Sequence, residues 1–564
     1  VAPRLTALVA FCTLALATGE VRAQEADAET DTEAEADTET GSDSDSVAES
    51  ETETESETET ETDSGTEAWW GSGTESESAP ETEPGAEAAI ESESAPESDS
   101  EPASDTESDT EPDSEAESET ESEEEESDFW SGFAFGSYGR VVAASDLRGG
   151  TGRDNDIVAF GPRVDESTYL EVELRREDQW RYMQSKIVVD FAINGDLFHF
   201  DGNFDENLAI RNLYLELIDV GTDGLRLWAG SRMWRGDDMY LLNTWPLDNI
   251  NAIGGGLDYH HDLFELRSVA AFARPDDPFQ RQVIDVAPEG GRFTPDEVFI
   301  LDRPRLVLGL KGTYFPFGTT NDFGAKAVLY GEYHSIGDGQ RQLTDGTIEQ
   351  LPADDGMMVG AQLGGWLVEG HAFANLFFRY ARGLAAYNPL GVPFSSTTTV
   401  VTTERAEETM LALSANYEYD FVGVQVAAYY RRFRDADPSL LERNLLAEGA
   451  IDVRPYIWFT DWLGVAVDGS YQGLQETGLD ETTGQPIGGN VWKLGIIPFI
   501  SPSGRGTYTR PHFRIIYSAT YRDEGARRLY NSADPRAAHE VEHFLGIGAE
   551  WWIDTSSYLG PQLR

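Results

Sequence analysis

From about Phe129 to Ile553 apolar and polar residues alternate with a period of two, and no long stretch carries the period of a helix. A strand sends successive side chains to opposite faces, so each such run makes a ribbon with one greasy face and one polar face. In FAFGSYGRVV the set Phe133, Phe135 and Val141 opposes Tyr138 and Arg140. In YLEVELR the set Leu170, Val172 and Leu174 opposes Tyr169, Glu171, Glu173 and Arg175. Leu376, Phe378 and Tyr380 oppose Asn375, Phe377 and Arg379, and Phe513, Ile515 and Tyr517 oppose Tyr508, Arg510, His512 and Arg514. Near the end, Leu545, Ile547, Ala549, Trp551 and Ile553 oppose Gly548, Glu550 and Trp552.

A soluble β-sandwich also alternates. Aromatic residues near strand ends, and long polar loops alternating with short turns, favour a transmembrane barrel with a lipid face outside and a polar lumen. The 437 residues from 128 to 564 provide sixteen to eighteen strands of about ten residues with their loops. The expected class is all-β, a transmembrane antiparallel β-barrel. The stretch Leu225–Tyr259 begins as a strand, becomes a loop rich in Trp, Arg, Asp and Asn, and exits through Gly254-Gly255-Gly256. That loop is expected to fold inward and constrict the barrel.

The formal charge of -64 is unevenly placed. Between Glu25 and Asp128 there are 43 acidic residues and no Lys or Arg. Such a segment repels itself and has little apolar surface to bury, so 24–128 is expected to be disordered and extended. Trp69 and Trp70 interrupt it, and fit either a docking point or two aromatic residues in a solvated coil. Without this segment and the first residues, 60 acids face 38 bases, a net -22, and no basic patch suited to nucleic acid is present. Residues 1–23 have a basic Arg4, an apolar run from Leu5 to Ala17 and a small Ala23 at a cleavage point, the pattern of a secretory signal peptide. The single cysteine, Cys12, falls within it, so a mature chain would have no disulfide and no Cys metal site.

Several blocks, in order, resemble the sugar-specific porins of the maltoporin family. GSYGRVV is similar to the family's first strand and TYLEVEL to its second. WAGSRMWRGDDMYLLNTWPLD resembles the strand and inward loop that the family opens with Trp-Ala-Gly-Lys-Arg. VRPYIWFTDWLGVAVDGSYQ and YTRPHFRIIYSATYRDE resemble late strand pairs. The resemblance implies an eighteen-stranded barrel at 129–564, a homotrimer in the outer membrane in contact with its lipid, through which oligosaccharides diffuse. The chain ends are periplasmic in that family, which would place 24–128 there, spacing the barrel from the cell wall or attracting cationic ligands. After Ile553 the chain continues through DTSSYLGPQLR, past the terminal aromatic usual for the family.

The family's lumen pairs a slide of aromatic rings with a polar track. Flat CH-rich sugar faces suit the rings, and hydroxyl edges suit charged donors and acceptors. The resemblance assigns the slide to Tyr138, Tyr169, Trp245, Phe373, Tyr508 and Trp552, with Phe204 where the family has a Trp on a loop reaching a neighbouring subunit. Parity alone also turns Tyr138, Tyr169, Phe373, Tyr508 and Trp552 inward. Any single ring also fits an interface belt. The polar track falls on Arg140, Arg163, Glu171, Arg211, Asp238 and Asn243. Asn243 stands where Asp is usual, and Gly236 replaces a basic residue whose place the adjacent Arg235 takes. Arg211 falls in phase with the apolar set if its strand already runs there, so it either lies in the loop or is misassigned to the track.

His539-Glu540-Val541-Glu542-His543 matches HExxH, which binds zinc only when both His lie one helical turn apart. The surrounding alternation predicts a strand, so a zinc hydrolase is a remote alternative. No nucleotide-binding or serine-hydrolase motif has a supporting context, and no enzyme activity, metal or cofactor is expected. The expectation is a passive sugar-selective channel. The alternatives are a general porin that sugars do not block and a sugar-binding adhesin that does not conduct.

Overall fold

The computed structural model describes residues 132–194, 207–286, 296–319, 321–368, 371–393, 400–437, 445–479 and 483–555. The leader, the acidic segment with Trp69 and Trp70, Phe204 and the last nine residues lie outside the described residues. The first strands are β1 (Phe133–Ser145), β2 (Tyr169–Gln179), β3 (Gln184–Asn194), β4 (Asn207–Ile218), β5 (Leu225–Arg235), β6 (Asn249–His261), β7 (Phe264–Ala273), β8 (Arg281–Val286) and β9 (Asp296–Asp302). There follow β10 (Arg305–Tyr314), β11 (Phe323–Ile336), β12 (Gly339–Gln342), β13 (Ile348–Leu351), β14 (Asp354–Leu367), β15 (Ala372–Gly383) and β16 (Glu407–Tyr419). The last are β17 (Val422–Arg434), β18 (Leu445–Trp458), β19 (Leu463–Leu479), β20 (Pro486–Ile500), β21 (His512–Arg522) and β22 (Val541–Ile553).

Eighteen of these strands form one antiparallel sheet, each hydrogen-bonded to its neighbour, while β8 with β9 and β12 with β13 make two hairpins outside it. The sheet closes where Ser137–Ser145 of β1 pairs with Leu545–Ile553 of β22. Closure leaves no free edge, which lets backbone polar groups enter a bilayer. Gly139 makes the seam possible: Trp551 lies over it, and a Cβ there would approach that indole to 2.4 Å.

The two-residue period is set outward and inward as the sequence implies. Leu329, Ile253 and Leu494 present more than 60% of their surface outward, whereas Glu173, Asp190 and Glu550 are fully buried on the inner face. Tyr314, Phe317, Phe323, Tyr419, Phe459 and Trp462 ring the outside near one end. Toward the other end, Trp492 stands 5.4 Å from both Tyr471 and Tyr521. Two such girdles mark the two membrane interfaces. At the first end the connections are short, such as 180–183, 262–263 and 420–421, with Asp420 in the left-handed region that Asp tolerates. At the other end most are longer, as at 146–168, 236–248 and 384–406. No helix among the described residues is long and apolar enough to cross a membrane, which says nothing about strands.

Two local expectations are corrected. Gly254, Gly255 and Gly256 belong to β6 rather than to a loop exit, and a Cβ at Gly256 would meet the Trp228 indole nitrogen at 2.4 Å. Arg211 lies inside β4, neither in a loop nor on the lipid face. The β3–β4 register pairs Asp190 with Asn212 and Phe191 with Ile210, leaving Arg211 unopposed in a bulge. The extra residue reverses the parity of the strand. Leu208 and Ile210 before it and Leu213 and Leu215 after it all face outward, while Arg211 points in.

Candidate functional site: the lumen and its inward loop

The loop 236–248 between β5 and β6 turns into the barrel. Its acidic ends are tied to the wall: Asp237 to Lys326 Nζ at 2.8 Å and Gln362 Nε2 at 2.6 Å, Asp248 to Lys311 Nζ at 2.8 Å. Burial pushes the Asp237 carboxyl up, but Lys326 and Lys311 outweigh it and hold it below the usual range. Arg379 donates to the Pro246 carbonyl at 3.0 Å. Between these ties a 3-10 turn, Tyr240–Leu242, ends at Asn243 with φ 47°, a conformation Asn tolerates better than most residues. Met239, Tyr240, Leu241, Leu242 and Leu247 are buried against inward residues including Trp234, Ile250, Tyr330, Met358 and Phe377. An apolar loop centre held by ion pairs at its ends is therefore part of the core filling the barrel.

Tyr240 stands at the centre of the rings. Its centroid is 5.6 Å from Tyr508 and 6.0 Å from Trp552, and Tyr508 is in turn 6.0 Å from Phe373. Tyr138 and Tyr169 form a second pair at 5.8 Å. The guanidinium of Arg235 lies 3.9 Å above the Trp245 ring. The structure therefore brings Phe373, Tyr508 and Trp552 together through a residue that the sequence reading did not select. Tyr240 lies in a loop, where a two-residue period has no meaning.

Charged groups interleave these rings. Arg140 donates to the Tyr138 hydroxyl at 3.2 Å and faces Glu166 at 3.2 Å. Arg163 donates to the same hydroxyl at 2.5 Å, pairs with Glu166 at 2.8 Å and lies 4.7 Å over Tyr240. Arg211 reaches Glu171 at 2.6 Å and also bonds the Tyr169 hydroxyl. Glu550 receives Arg510 at 2.8 Å, Arg514 at 3.1 Å and the Tyr240 hydroxyl at 3.0 Å, with Arg163 at 3.6 Å. Asp238 acts electrostatically on Tyr508, while Asn243 is exposed on its turn. A second ladder, Arg379–Glu408–Arg431–Glu448, crosses the facing wall from β15 to β18 with contacts of 2.5 to 2.9 Å.

The loop 146–168 also enters the lumen, which the sequence did not foretell. The amides of Ile157, Ala159 and Phe160 donate to Gln472, Glu448 and Tyr429 on the far wall at 3.0 to 3.3 Å. The Arg163 amide donates to the Leu241 carbonyl at 2.9 Å, joining the two inward loops. Lys493 Nζ sits 2.7 Å from both Asp156 and Asp165 and 3.6 Å from Asp154. Those three carboxylates have cation-site spacing, but the lysine already fills the centre.

Burial pushes the Asp165 carboxyl up to about 6, with Lys493 pulling the other way. Burial and Asp154 raise Asp156 as well. A group protonated more readily when folded favours the folded state below its unfolded pKa and loses that contribution as pH rises through its folded pKa. Single-channel current is therefore expected to grow noisier as pH rises through about 6, because full ionisation sets three carboxylates around one lysine and the loop loosens. Asp165→Asn should flatten that profile; a wild-type trace indifferent to pH would show that these carboxylates do not govern how the loop is held.

HExxH is disposed of by backbone geometry. His539 follows the short helix Pro535–Ala538 in an extended conformation, and His543 lies in β22, stacked 6.0 Å from Tyr517 on the outer face. The two imidazoles therefore do not share a helical turn.

A family model described as LamB porin matches residues 133–552. No curated protein sequence matches. Among solved structures the chain is similar to OccAB2 of Acinetobacter baumannii at 12% identity, covering 75% of this chain and 98% of that one, with a TM-score of 0.38. OpdK of Pseudomonas aeruginosa, solved with vanillate, is 11% identical over 75% and 98% with a TM-score of 0.35. The trimer form of OmpT of Vibrio cholerae is 13% identical over 75% and 100% with a TM-score of 0.31.

Proposed function

Because this chain belongs to the LamB porin family, an outer-membrane β-barrel channel, we propose that it passes sugars or short oligosaccharides by passive diffusion and performs no catalysis. The observation that carries the reading is the cluster of Trp552, Tyr240, Tyr508 and Phe373 beside Arg510, Arg163 and Glu550. Rings offer CH-rich sugar faces a surface, and the adjacent charged groups exchange hydrogen bonds with hydroxyls. Several weak positions in series let a solute leave as readily as it enters. The family resemblance supports a homotrimer. It also supports a periplasmic acidic segment, and β1 accordingly begins at the short-turn end of the barrel, the end that faces the periplasm in such proteins.

Purified protein in a planar bilayer tests the reading. Ion current should be blocked by maltodextrins or another saccharide in a panel. Trp552→Ala and Tyr169→Ala should each weaken blockade more than they change open conductance. Conductance that no sugar blocks would make this a general porin, and sugar binding without any conductance would make it an adhesin.

A further inference from the structure

The ring-lined path carries more guanidinium than carboxylate. Arg140, Arg163, Arg211, Arg510 and Arg514 share Glu166, Glu171 and Glu550, and Glu550 alone serves three of them. Arg235 goes further. Among the described residues it forms no ion pair, its Nε donates to Asn249 Oδ1 at 2.8 Å, and its Nη2 is buried without a hydrogen-bond partner.

The groups acting on its charge are Arg211, Glu171, Tyr169 and Asp190. Glu171 is engaged by Arg211, and Asp190 accepts from Asn212 at 3.0 Å. On its own loop, Asp237 and Asp248 are taken by Lys326 and Lys311, Asp238 acts on Tyr508, and the exposed residue beyond the turn is the neutral Asn243. Arg235 and Trp245 are both only half-buried, stacked at 3.9 Å where the loop leaves the wall.

A half-buried guanidinium with no carboxylate of its own is unfavourable, and an oxyanion reaching its open side is the acceptor it matches best. The aromatic plane against it suits a ring that carries such a group. We propose that this porin prefers acidic saccharides, with the carboxylate or sulfate of the solute received by Arg235 against Trp245. The proposal rests on the sugar-channel reading and names the class of sugar.

The test compares three probes of equal length on the full chain in planar bilayers: maltotriose, a trimer of galacturonic acid and a sulfated galactose trimer. At least one acidic trimer should halve the current at a concentration about tenfold lower than maltotriose, a difference of about 1.4 kcal/mol. Which acidic trimer does so identifies the group received. Arg235→Gln should erase the difference between acidic and neutral probes, and Arg235→Lys should restore part of it. If maltotriose blocks as well as the acidic trimers, or if Arg235→Gln leaves their advantage intact, the proposal falls and the sugar-channel reading stands. If none of the three blocks, both fall.

Discussion

Tyr240→Ala is expected to raise single-channel conductance severalfold and to abolish sugar blockade. Tyr240 lies beside both Trp552 and Tyr508, so its loss separates these two rings. Its hydroxyl also receives Arg510 at 2.6 Å and donates to Glu550, so the change releases the loop from the opposite wall. Truncating so buried an aromatic costs on the order of 3 kcal/mol. Ties at both loop ends, Asp237 to Lys326 and Asp248 to Lys311, should keep the barrel itself folded. Tyr240→Phe separates ring from hydroxyl: blockade should survive, with a stability loss of about 1 kcal/mol for the bond removed. Unchanged conductance and blockade in the alanine variant would remove Tyr240 from the path.

Glu550→Ala should have the second large effect, on stability more than on conductance. The carboxylate is fully buried and accepts from Arg510 and Arg514, with Arg163 at 3.6 Å. Removing it leaves adjacent buried cations facing one another. Breaking a buried pair by deleting one partner costs about 3–5 kcal/mol, because the stranded charge has lost its solvation. Arg510 keeps the carbonyls of Thr507 and Thr509, which lessens the loss. Heat-induced unfolding of the detergent-solubilised barrel should begin at markedly lower temperature, and the reversal potential should move toward anion selectivity. A variant as heat-resistant as wild type, with unchanged ion selectivity, would show that Glu550 does not hold this cluster.

The faces of the strands were legible because parity is local: Tyr138, Tyr169, Phe373 and Trp552 turn inward, as counting from their apolar neighbours requires. Arg211 escaped the same count because its side is decided by a bulge against β3, and a bulge depends on the partner strand. Tyr508 illustrates the boundary. Parity pointed it inward, but Tyr508 lies in the connection before β21 rather than in a strand, and its neighbours Tyr240 and Phe373 come from distant parts of the chain.

The sequence by itself determined that this is an all-β chain with a greasy outside and a charged inside, and that an aromatic loop follows β5. Those properties need only a two-residue period and composition. Tertiary structure decided what fills the barrel. Closing the barrel through β1 and β22 set Glu550 among Arg163, Arg510 and Arg514, and the apolar turn at Tyr240 then found its place among rings from the facing strands. It also drew the loop 146–168 across to Lys493, an ion pairing that no pattern along the chain encodes. Side-chain direction in a strand is fixed by its immediate neighbours, whereas a loop takes its position from whatever surfaces and charges the closed barrel presents to it.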